Sequence, residues 1–75
     1  MQPKHTENYI KLGLNIAYYR KLKGITQEEL AEIIEAEETH ISKIENAKVG
    51  LSFDRFFDIC EALDVMPHKM LEFRD

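Results

Sequence analysis

The stretch Ile25-Thr26-Gln27-Glu28-Glu29-Leu30-Ala31-Glu32-Ile33-Ile34 constrains the fold more than any other part of the 75-residue chain. The Thr26 hydroxyl can accept from an orphan backbone N–H in the first turn of a helix. Glu29, three residues on, can reach back to the N–H of Thr26 and complete a capping box. Ile25, just before the cap, can pack on Leu30 as a hydrophobic staple. Three local signals therefore start a helix at one point, and Leu30, Ala31, Ile33 and Ile34 give it a short apolar face. The next large apolar residues are Ile41 and Ile44.

Propensity alone would allow one helix from Gln27 to Lys48, because no Pro or Gly interrupts it. The apolar row argues against it. Continued at helical spacing, the Leu30, Ile34 row puts Glu37 or Glu38 in line before Ile41. An unpaired carboxylate in a core row is costly. A break between Ile34 and Glu38 removes the conflict, since Ala36 then turns inward and Ile41 and Ile44 open a second face. The result is two short helices joined by a tight turn, a helix-turn-helix.

The remaining chain supplies what surrounds this unit. Residues 1–6 are expected to form a flexible polar arm and residues 7–75 a single domain. A first helix is expected from Glu7 to Lys23, with Leu12, Ile16 and Tyr19 along one face and Gly24 as its left-handed stop. Asn46 to Leu51 is a loop with Gly50 as its flexible point. Ser52 caps a fourth helix, with Leu51 and Phe56 as a second staple. Its expected apolar face is Phe53, Phe56, Phe57, Cys60 and Leu63. Pro67 suits the first turn of a last helix, where its missing N–H is no loss.

Composition narrows the function. Cys60 is the only cysteine, so no disulfide forms and an intracellular location is expected. Its place on an apolar face suits a small packed hydrophobe. No apolar run approaches a membrane span, and at the polar N-terminus no signal peptide is expected. His5, His40 and His68 lack metal-ligand spacing, and no Gly-rich phosphate loop is present. No metal, cofactor or catalytic activity is expected. The net charge of −4 counts against a nucleic-acid partner unless the cations are grouped.

Leu12-Gly13, Ile16, Arg20, Gly24 to Ala31, Ile41-Ser42-Lys43-Ile44-Glu45-Asn46, Ser52 and Ala62-Leu63 together resemble the phage-repressor (Cro-like, XRE) helix-turn-helix family. The resemblance runs from about Leu12 to Leu71. It implies an all-α, compact, five-helix, lambda-repressor-like domain. It also implies a cytoplasmic, repressor-type transcriptional regulator that binds an operator in double-stranded DNA as a homodimer. The chain departs from the family pattern at two places. The family usually has Gly in the turn where Glu35 stands, and Ser or Thr as the second cap where Glu37 stands.

The resemblance also implies roles for residues. Those matching Arg20 and Glu45 form an ion pair that ties the first helix to the recognition helix. Those matching Gln27 and Asn46 bind phosphate. With Ile41 and Ile44 inward, Glu38, Thr39, Ser42 and Lys43 share the outward side of the second short helix, the side that meets base edges in a helix-turn-helix. Thr39 and Ser42 suit several bases, Lys43 can donate to guanine, and Glu38 can accept from cytosine N4. Lys48 in the loop and the Ser52 backbone are further phosphate donors. Met70, Leu71 and Phe73 face inward or toward a partner, and Val65, Met66, Met70, Leu71 and Phe73 are the expected dimer contacts, because apolar residues concentrate there. Fold alone does not decide function. The acidic turn of Glu35, Glu37 and Glu38 motivates an alternative, a protein-interaction module that has lost DNA binding and pairs with another regulatory protein. An antitoxin that binds both DNA and a toxin is a third reading.

Overall fold

Local caps and left-handed stops delimit most of the five α-helices among the described residues. The structure, a computed structural model, describes residues 3–73. A turn of 3-10 helix, Pro3–His5, leads into α1, Thr6–Lys23. It is followed by α2, Gln27–Ile33, and α3, Glu38–Glu45. Then come α4, Phe53–Leu63, and α5, Pro67–Met70. There is no strand among the described residues. Residues 1 and 2 of the expected arm, and 74 and 75 of the expected domain, lie outside them.

The capping box at α2 is complete. The Glu29 N–H donates to Thr26 Oγ1 at 3.0 Å, and the Thr26 N–H donates to Glu29 Oε1 at 2.9 Å. Two of the orphan donors at that helix start are thereby satisfied. Ser52 does the same for α4, accepting from the Arg55 N–H at 3.1 Å.

The helix ends share one device. A residue with positive φ follows α1, α2, α3 and α4: Gly24 at 81°, and Glu35, Ala47 and Asp64 each at 57°. After α2 the Glu35 N–H reaches the Glu32 carbonyl at 3.3 Å, and the Ala36 N–H reaches the Ala31 carbonyl at 2.8 Å. The same pair of bonds recurs after α3, from Ala47 to Ile44 at 3.1 Å and from Lys48 to Lys43 at 2.8 Å. These are Schellman stops, which satisfy the last carbonyls of each helix. In the loop after α3 the left-handed residue is therefore Ala47, and Gly50 has no positive φ.

Only one of the four left-handed positions is glycine. A Cβ in that region crowds the following carbonyl. Glu35→Gly and Ala47→Gly are each expected to stabilise the fold, by up to about 1 kcal/mol. Asp64→Gly should gain less, because a short polar side chain tolerates the region. Urea unfolding of the three variants measures this. A loss of about 1 kcal/mol at Glu35 would show ordinary helix there instead.

The core takes one fully buried large side chain from each helix: Ile16, Leu30, Ile41, Ile59 and Met70. On α4 the buried row is Phe56, Ile59, Cys60 and Leu63, an i, i+3, i+4, i+7 set. The expected face of α4 is thus corrected. Phe53 and Phe57 are exposed and form a separate i, i+4 pair beside that row, their rings stacked at 6.1 Å. Burial pushes the Cys60 thiol up from its ordinary pKa, so it stays protonated and packs as a hydrophobe.

Two polar side chains close the bundle. Asn15 Nδ2 donates to the carbonyls of Met70, at 2.8 Å, and Glu72, at 3.3 Å, which ties α1 to the end of α5. Arg55 Nη1 donates to the Ile34 carbonyl at 2.7 Å, placing a cation on the C-terminal end of α2.

Candidate DNA-binding surface

The recognition surface depends on how α3 is held. Gly13 lets α1 and α3 meet backbone to backbone. A Cβ built there would lie 2.8 Å from the Ile44 carbonyl oxygen and closer still to that of Glu45. Two turns further along α1, Arg20 grips the same end of α3. Its Nε donates to Glu45 Oε2 at 2.7 Å and its Nη2 to Glu45 Oε1 at 3.1 Å, a bidentate pair. Both side chains are buried. Arg20 Nη1 donates to the Ile25 carbonyl at 2.9 Å, and Gln27 Nε2 donates to Glu45 Oε1 at 3.0 Å. One carboxylate therefore joins the end of α3 to both α1 and the first residue of α2. With these bonds the buried pair leaves no side-chain nitrogen or oxygen unsatisfied.

With Ile41, Ile44 and Glu45 turned inward, the opposite side of α3 faces solvent. Glu38, Thr39 and Lys43 are exposed there and Ser42 is half-buried. The structure brings these four together on one side, two residues from each of two successive turns. Glu37 stands at the N-cap in extended conformation and makes no side-chain cap bond. Its carboxylate and that of Glu38 sit at the positive end of the α3 dipole, a structural reason for acid at that point.

The residues expected at phosphates are placed less simply. Gln27 is half-buried, and its amide nitrogen is already bonded to Glu45. Asn46 is exposed but folds back, its Nδ2 donating to the Ser42 carbonyl at 2.8 Å and lying 3.5 Å from Ser42 Oγ. Ser52 is exposed and its oxygen caps α4. Lys48 is exposed in the loop. Between Gln27 and Ser52 the only basic side chains besides histidine are Lys43 and Lys48, whereas the stretch from Gln27 to Glu38 carries six carboxylates and no Lys or Arg. From Gln27 to Ser52 the Lys and Arg charge is thus confined to the C-terminal half of α3 and the loop after it.

The expected dimer residues separate on inspection. Met66 and Leu71 are exposed, and Val65 and Phe73 are half-buried. Met70 is corrected: it is fully buried in the chain's own core and has no surface to offer a partner. Leu71 and Phe73 line an open apolar groove of about 440 Å³ together with Tyr9, Leu51 and Phe53. Among the described residues no group of three His, Cys, Asp or Glu side chains is placed to hold a metal ion. No helix among them is long and apolar enough to cross a membrane.

The sequence reading missed Gly13, Asn15, Arg55 and Ile59 as structural residues. Gly13 and Ile59 carried a usable signal, one within the family-like Leu12-Gly13 pair and the other three residues after Phe56. Asn15 and Arg55 bond carbonyls far away in sequence, and no local pattern marks them.

Comparison with known proteins agrees with this geometry. The sequence profile of a Helix-turn-helix family matches residues 16–68. A search of curated proteins gives no match. Several solved structures are similar. The restriction-modification controller protein C.AhdI from Aeromonas hydrophila is 24% identical with a TM-score of 0.84, over 88% of this chain and 96% of that one. At that identity the likeness concerns the fold. The clp gene regulator ClgR from C. glutamicum is 27% identical with a TM-score of 0.82, over 84% and 81% of the two chains. The hypothetical transcription factor NHTF from Neisseria is 25% identical with a TM-score of 0.85, over 97% and 84%.

Proposed function

The chain belongs to the helix-turn-helix family, whose members bind DNA and regulate transcription, and from that premise we propose that it is a cytoplasmic, sequence-specific repressor that binds a two-fold operator as a homodimer. In this reading it is not an enzyme. The observation that carries the reading is the fixed presentation of α3, with Glu45 clamped by Arg20 and Gln27 while Thr39, Ser42 and Lys43 face outward. Glu38, Thr39, Ser42 and Lys43 read bases in the major groove. Lys48, the Ser52 backbone, Gln27 and Asn46 hold phosphates, and Asn46 exchanges its bond to Ser42 for one to DNA. Val65, Met66, Leu71 and Phe73 meet the second copy. Half-sites on the operator would then lie one helical turn apart, about 34 Å.

The test is a mobility-shift titration against DNA upstream of the protein's own gene, with random DNA as control and at several salt concentrations. Tighter binding to the upstream DNA is expected. Lys48→Ala should weaken binding to all sequences alike and lower the salt slope by about 1. Lys43→Ala should cost about 1–3 kcal/mol at the operator and relax preference at one base pair. A uniform loss from both substitutions would remove base reading from Lys43.

Glu38 separates two cases. If it accepts from a cytosine, Glu38→Gln weakens operator binding while raising non-specific binding. If it only repels phosphates, the same change strengthens both. The first outcome is expected, because Glu38 stands on the same side of α3 as Thr39, Ser42 and Lys43.

The run of six carboxylates from Glu28 to Glu38 favours a second reading, a protein-interaction module on the same scaffold. Absence of binding to upstream DNA at low salt, with the chain dimeric, would select it.

A further inference from the structure

One row of α1 is apolar on the side away from the core. Ile10, Leu14, Tyr18 and Leu22 recur at every fourth residue and are 46%, 63%, 50% and 69% exposed. Scattered exposed apolar residues are normal on a small domain, but four in one row form a patch. The opposite side of the same helix is buried through Leu12, Ile16 and Arg20. A helix that is apolar on both sides is usually covered on both.

The row is symmetric about Leu14. Ile10 and Tyr18 lie four residues to either side of it. Glu7 and Lys21 lie seven residues to either side, which is two turns, or about 10 Å. Both are exposed and fall on the same side of the helix as the row, Glu7 also lying 3.6 Å from the Lys11 ammonium of its own helix. A two-fold axis through Leu14 lays a second α1 antiparallel on the first. Each Ile10 then meets the partner copy's Tyr18, and each Glu7 meets the partner copy's Lys21. One contact thus contains two apolar pairs and two opposite-charge pairs around a central Leu14 pair. Moving the axis by two residues, to Ile16, would lose both Glu7–Lys21 pairs and bring Lys11, with its own Glu7 contact, against the other copy's Lys21. Like charges therefore oppose that register.

We infer that this face of α1 is a self-complementary interface for a second copy of the chain, packed antiparallel with Leu14 on the two-fold axis. Such an interface is isologous and closes on itself. It shares no residue with the C-terminal set assigned above to the operator-binding dimer, although Leu14 and Tyr18 border Glu72, and it does not depend on that assignment. A chain carrying both faces joins one operator-bound dimer to another.

The experiment is sedimentation velocity on the full chain at low salt, in a Leu71→Lys background that removes the C-terminal contact. Self-association is expected to persist in that background. Glu7→Lys or Lys21→Glu alone should weaken it at least tenfold, and the two together should restore it. Leu14→Cys should form an intermolecular disulfide under mild oxidation, because the two positions face each other across the axis. Leu22→Cys, placed opposite Thr6, should not. Circular dichroism establishes that each variant is folded. A monomer throughout in the Leu71→Lys background overturns the interface. So do single swaps without effect, and a double swap that fails to restore association.

Discussion

Replacing Arg20 by alanine is expected to destabilise the fold by roughly 3–5 kcal/mol, because it leaves Glu45 charged and buried with no cation beside it. A core of this size supplies only about 3–5 kcal/mol of net stability, so the variant should be largely unfolded at room temperature. Glu45→Ala should cost a similar amount, since it strands the Arg20 guanidinium with only the Ile25 carbonyl as acceptor. The pair itself is worth much less than either loss suggests. Desolvating both groups offsets most of their attraction, and an apolar pair of similar volume is often no less stable. The double variant should therefore cost less than the sum of the singles. Urea unfolding of all four proteins gives the coupling. Small additive losses would mean that the two charges act independently and that α3 is held by its apolar contacts alone.

How much of this arrangement the sequence revealed depends on the range of each interaction. The start of α2 was legible because its cap, Thr26 and Glu29, lies within four residues. The break after α2 was legible for a different reason, the failure of the Leu30, Ile34 row to reach Ile41 without burying a glutamate. Arg20 and Glu45 sit 25 residues apart, and each stands beside an apolar stripe as a solvated charge would. Only resemblance joined them. Gln27 was assigned to phosphate by the same resemblance, and nothing local shows that its amide nitrogen bonds Glu45.

Where the reading went astray, the spacing of the apolar residues admitted more than one arrangement. Phe53 and Phe57 are the larger side chains on α4, yet Ile59 completes the row that packing selects. Met70 stands among the apolar residues concentrated near the C-terminal end, a pattern that suits a partner contact as well as a core, but the Asn15 bonds to the Met70 and Glu72 carbonyls draw that turn onto α1. These bonds span more than fifty residues, and the apolar pattern of α5 is too short to anticipate them. The left-handed residues show the same limit. Gly24 announces itself and the resemblance marks Glu35, whereas Ala47 and Asp64 adopt positive φ because the helices they join must turn there.

Gly13 is where sequence and structure disagree most in their expected consequence. A glycine inside an exposed helix costs about 1 kcal/mol relative to alanine, so propensity predicts that Gly13→Ala stabilises α1. The structure predicts the reverse. The added methyl would meet the carbonyl oxygens of Ile44 and Glu45, which are backbone atoms of α3 and cannot rotate away as a side chain does. Overpacking of this kind costs typically about 1–3 kcal/mol, occasionally more. Contact with backbone puts Gly13 at the upper end of that range. The steric cost exceeds the propensity gain, and a net loss of about 2 kcal/mol is expected by urea unfolding. Relief requires α3 to move away from α1, which stretches the Arg20 bonds to Glu45 and shifts the outward face of α3. Binding to operator DNA should accordingly fall more than binding to random DNA. Gly50→Ala is the control, since its methyl would meet only the Tyr9 side chain, at an ordinary 3.6 Å from the hydroxyl oxygen and 3.8 Å from Cζ. If Gly13→Ala proved more stable than the parent, α1 and α3 would not be in backbone contact, and the account of how α3 is held would fail.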